Sequence, residues 1–128
     1  MSRWLVLCLS LCVGVPAAAA EDVVSFRQQI VPIFQQECVY CHMREDSYGF
    51  LVLEDATSYG SLVGVPASEL PSMNRVHPGE PENSYLWRKL KGTHVEAGGS
   101  GWRMPFHPLS DTHRTYIRQW IEQGALDN

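Results

Sequence analysis

The chain has 128 residues, with 14 Asp and Glu against 10 Lys and Arg, a formal net charge of −4 with His neutral. That length suits one domain, and mild acidity with scattered cations leaves no electrostatic footprint for nucleic acid. A partner that reads this charge would carry a basic patch.

The first twenty residues read as a secretory signal peptide. Arg3 opens a positive start, residues 4–15 form an apolar run of twelve, and small residues at Ala18 and Ala20 place cleavage after Ala20. Twelve residues fall short of the ~20 that a membrane-spanning helix needs. Cys8 and Cys12 each follow a leucine, where a lipoprotein signal needs a small residue. The domain is then 21–128, periplasmic or otherwise exported, with a charge of −5 once Arg3 is gone. No later stretch is apolar enough to span a bilayer, so no stable membrane insertion is expected.

Within this domain the first helix is expected over about 25–38. Phe26, Ile30, Ile33 and Phe34 share one face, and Ser25 with Gln28 forms a capping-box signal. Pro32 predicts a kink or a late start. A helical turn over 55–62 is weakened by Gly60. A short helix should start at Ser84 and stop before Gly92, with Leu86 and Leu90 as its buried stripe. The last helix is expected over 111–123, capped by Ser110 or Asp111. Tyr116, Ile117, Trp120 and Ile121 form its inner face, and Gly124 ends it. No sustained alternation predicts strands. The reading is all-α, with helices at both ends and long loops that need something central to organise them.

Cys8 and Cys12 leave with the signal peptide, so Cys38 and Cys41 are the thiols of the mature chain. A thioredoxin-like pair would follow a strand and open a helix; this pair closes a helix. Zinc would need His107 and His113, which have compatible spacing, but 65 residues separate Cys41 from His107. His42, directly after Cys41, completes C-x-x-C-H, the attachment signature for c-type haem. Both thiols add to the vinyl groups, and the adjacent imidazole becomes the proximal iron ligand.

Candidates for the sixth ligand are Met43, Met73, Met104, His77, His94, His107 and His113. Met43 follows His42 too closely to reach the opposite face. Met104, 62 residues past His42 and made rigid by Pro105, stands before the last helix. A core methionine beside Trp102 and Phe106 is its bland alternative. Trp87, Trp102, Trp120, Tyr116 and Phe50 are expected in the core or the walls of the haem pocket. Arg75 is placed near a propionate, against the alternative of a plain surface loop.

The stretches VPIFQQECVYCH, HPGEPENSYL, RMP and LSDTHRTYIRQWIEQGA together resemble monohaem class I cytochromes c, especially short bacterial exported domains of that type. The resemblance covers most of the mature chain. It implies a small all-α cytochrome c fold, its N- and C-terminal helices packed around one covalent haem c with long loops between. It implies iron ligated by His42 and Met104, and single-electron transfer between redox protein partners rather than catalysis. Relatives often carry two prolines after the methionine, whereas Phe106 and His107 follow here, so His107 is a rival ligand. An alternative is a haem enzyme or sensor with an open sixth site, peroxidase-like or gas-binding, with His94 or His107 as the distal group. Another is a haem subunit of a larger oxidoreductase.

Overall fold

The computed structural model describes residues 22–44 and 47–128. The signal peptide and its cleavage point lie outside the described residues. The chain opens in a π-helical turn, Phe26–Ile30, continuous with helix α1, Val31–Glu37. Ile30 N bonds Ser25 O at 3.3 Å, one residue beyond the α-helical pattern. Pro32 explains the widened turn: it has no N–H to give to the ladder, and its ring crowds the preceding turn. The α-helix therefore begins at Val31, with proline in the first turn, where it is tolerated. The expected kink takes this form. Ser25 Oγ accepts from Gln28 N at 3.2 Å as expected, but in the reciprocal bond Ser25 N donates to Gln29 Oε1 at 2.7 Å. The wider turn moves the reciprocal partner one residue along.

Short 3₁₀ turns at Tyr48–Phe50 and Asp55–Thr57 lead into α2, Ser58–Leu62. Strands β1, Pro66–Ala67, and β2, Leu70–Asn74, pair antiparallel with an irregular register. The all-α expectation is corrected here: among the described residues four α-helices accompany one small sheet. Strands of two and five residues are too short to display alternation, and backbone pairing defines them.

A 3₁₀ turn at Pro81–Asn83 precedes α3, Tyr85–Lys91, which ends at Gly92 with φ +82°. Ser84 occupies the cap position without capping. Its hydroxyl accepts from His77 N at 2.8 Å and donates to Glu80 O at 2.9 Å, which closes the preceding loop. The stripe on α3 also differs from expectation. Tyr85, Trp87 and Leu90 are buried, while Leu86 is half-buried because it faces a cavity. Helix α4, Asp111–Glu122, is capped by Ser110 Oγ, which accepts from His113 N at 3.1 Å. Ile117, Trp120 and Ile121 are fully buried, Tyr116 is half-buried, and Gly124 follows with φ +99°.

The core lies where the π-helical turn meets α4. Phe26 stacks at a tilt on Trp120, ring centroids 5.1 Å apart, and meets Phe34 and Tyr59 edge-on. Each large side chain buried here contributes roughly 1.5–3 kcal/mol. The two ends of the described chain are also tied by Val24 N to Gln123 Oε1 and Phe26 N to Asn128 Oδ1, both 2.8 Å. Among the described residues no helix is long and apolar enough to cross a membrane.

Candidate functional site

Where α1 ends, the chain keeps coiling. Cys38 N bonds Phe34 O at 2.8 Å, and His42 N bonds Cys38 O at 3.1 Å. This tight turn presents Cys38, Cys41 and His42 to one cavity of about 290 Å³. Leu53 N returns to His42 O at 2.7 Å, so the following loop closes over the same opening. Leu51, Leu53, Leu62, Leu86 and Leu90 supply apolar walls, and Met104 faces the cavity from the loop before α4.

The chemistry of the first three residues follows from their settings. Both cysteines are free thiols, Cys38 half-buried and Cys41 exposed. Burial, then the charges of Glu37 and Cys41, push the Cys38 thiol up to about 12. His42 is half-buried, and burial lowers its pKa below the ordinary 6.5. The nearby backbone of Leu51 and Tyr48 opposes this, while Arg75 and Lys89 lower it further. These backbone groups fall short of hydrogen-bond geometry, leaving His42 Nδ1 buried and unbonded. The imidazole is thus neutral at pH 7, the form in which it binds a metal.

Of the seven residues considered for a sixth position, Met104 and His107 line this cavity with His42. Met73 and His77 border a separate polar hollow of about 260 Å³. His94 is buried, with Nε2 3.0 Å from Gly101 O. His113 packs beside Glu37, and Met43 is 46% exposed. The distal role considered for His94 therefore has no geometry behind it. The aromatic assignment divides: Trp87 and Trp120 are buried, but Trp102 and Phe50 are 75% and 71% exposed and neither lines the cavity. Phe50 ends a 3₁₀ turn with φ +52°, which turns its ring outward.

Arg75 lines the cavity as expected. Its guanidinium donates to Ser61 O at 2.7 Å, Gly49 O at 2.9 Å and Phe50 O at 3.2 Å. No carboxylate among the described residues pairs with it, so a half-buried positive charge borders the cavity uncompensated. Sequence reasoning missed the neighbouring cluster of Glu69, Tyr85 and Lys89. Glu69 Oε2 accepts from Tyr85 Oη and Lys89 Nζ, both at 2.5 Å. The available signal was helical spacing, since Tyr85 and Lys89 share a face of α3 with Leu86 and Leu90.

Among the described residues no three His, Cys, Asp or Glu side chains are arranged to hold a metal ion by themselves. Comparisons with family models, curated proteins and solved structures give no match.

Proposed function

We propose that the chain is an exported, periplasmic, monohaem c-type cytochrome that carries single electrons between redox protein partners. The observation that carries this reading is the convergence of Cys38, Cys41 and His42 with Met104 on one apolar cavity. The residues fit the group. Two free thiols suit thioether attachment, a neutral imidazole suits iron, and leucine walls suit a porphyrin face. Arg75, which pairs with no carboxylate among the described residues, suits a propionate. A small cytochrome c fold is the finer architectural reading, supported by the packing of the N-terminal helical turn on α4.

In this reading Cys38 and Cys41 would hold the ring, and His42 and Met104 would ligate its iron. When bound, haem supplies a one-electron ferric–ferrous couple. The chain's own contribution would be to keep His42 and Met104 in place as ligands, so that little rearranges as charge changes. Its apolar walls also exclude water, and burial and axial-ligand choice tune the potential.

Spectra and a redox titration of wild type and two variants test this. Met104→Ala should open the sixth position, bind carbon monoxide readily, lose the far-red sulfur-to-iron band and lower the potential. His107→Ala should leave all four properties near wild type. A wild-type iron that is already five-coordinate and reacts with peroxide would overturn the electron-carrier reading.

A further inference from the structure

Glu37 ends α1 directly before Cys38, and its side chain is 18% exposed. Its Oε2 lies 3.6 Å from His107 Nε2, and its Oε1 lies 3.7 Å from His113 Nδ1. Nδ1 of His113 is buried with no hydrogen-bond partner, and this carboxylate oxygen lies beside it. One carboxylate therefore sits against three segments: the end of α1, the loop after Met104 and the first turn of α4. Among the described residues Glu37 is also the side chain partnering His107.

The loop that bears Met104 and His107 is lightly held. Trp102 and Phe106 are 75% and 69% exposed, so they contribute little burial. The polar ties are Met104 N to Lys89 O at 3.3 Å and Arg103 Nη2 to Phe106 O at 2.8 Å. Met104 and His107 are three residues apart and both line the cavity, so both are candidates for one ligand position, which only one can fill. A His107 Nε2 that donates to this carboxylate has no lone pair left for a metal. Nε2, at the tip of the His107 ring, is the nitrogen that Glu37 faces.

We infer that Glu37 selects the sixth ligand: it detains His107 at the end of α1 and leaves Met104 to face His42. This rests on the haem reading of the cavity and deepens it with a positioning residue outside the ligand set. His113 Nδ1 lies beside the other oxygen of the carboxylate, 3.7 Å away.

The test is a double-mutant comparison on the exported ferric protein. Glu37→Ala should weaken the far-red sulfur-to-iron band several-fold and lower the potential, as His107 displaces Met104. Glu37→Ala combined with His107→Ala should recover both. If the alanine variant does not mature, Glu37→Gln against Glu37→Gln with His107→Ala decides the question at smaller amplitude. A band unchanged in the Glu37 variant overturns this inference alone, as does a band lost there and not recovered in the double variant. A wild type without bound haem would overturn the haem reading and this inference with it.

Discussion

Glu69 orders the polar end of the cavity. Burial alone would raise its pKa, but hydrogen bonds from Lys89 and Tyr85 outweigh burial and hold it below the ordinary 4.5. The same contact and burial push the Tyr85 hydroxyl well above its usual range. A depressed carboxylate stabilises the fold above its unfolded pKa, and that contribution disappears as pH falls through the folded value. Glu69→Gln should therefore cost on the order of 1 kcal/mol at pH 7, discounted because Glu69 is one-third exposed. Thermal melts should show a loss of a few degrees at neutral pH that shrinks below pH 4.5. An offset that stays constant from pH 7 to pH 3 would contradict the assignment. The contrast with Cys38, Cys41 and His42 is instructive. Their relation is written in five consecutive residues, because a single helical turn makes them neighbours. Glu69 and Lys89 are 20 residues apart, and only the β1–β2 hairpin lets Glu69 meet α3. Helical spacing pairs Tyr85 with Lys89, but it carries no trace of Glu69.

At the scale of elements, local rules located the helix ends. Ser110 caps α4, and Gly92 and Gly124 take the left-handed conformations that end α3 and α4. Ser110→Ala should cost about 1 kcal/mol, the usual worth of an N-cap, measured as a lower denaturation midpoint at unchanged slope. An unchanged midpoint would mean that the cap contributes nothing. Ser84 marks the limit of such rules. It has the cap's backbone conformation, but its hydroxyl is taken by His77 and Glu80 in the loop before it. The π-helical turn was equally out of reach. Pro32 announces a disturbance, whereas the extra residue that absorbs it depends on Phe26 packing against Trp120 and Tyr59.

For the whole molecule, the cavity is built from segments scattered between Glu37 and His107. A chain of this size that places leucines around a cavity gains its full core when a large apolar group fills it. Haem is thus proposed as part of the folded core as well as the redox centre. Replacing Cys38 and Cys41 together by serine should leave little folded, coloured protein. The most direct measurement is the intact mass of the exported protein under denaturing conditions. The expected mass is that of residues 21–128 plus one haem, retained through acid–acetone extraction. A mass equal to the chain alone, or haem released into the solvent, would contradict it.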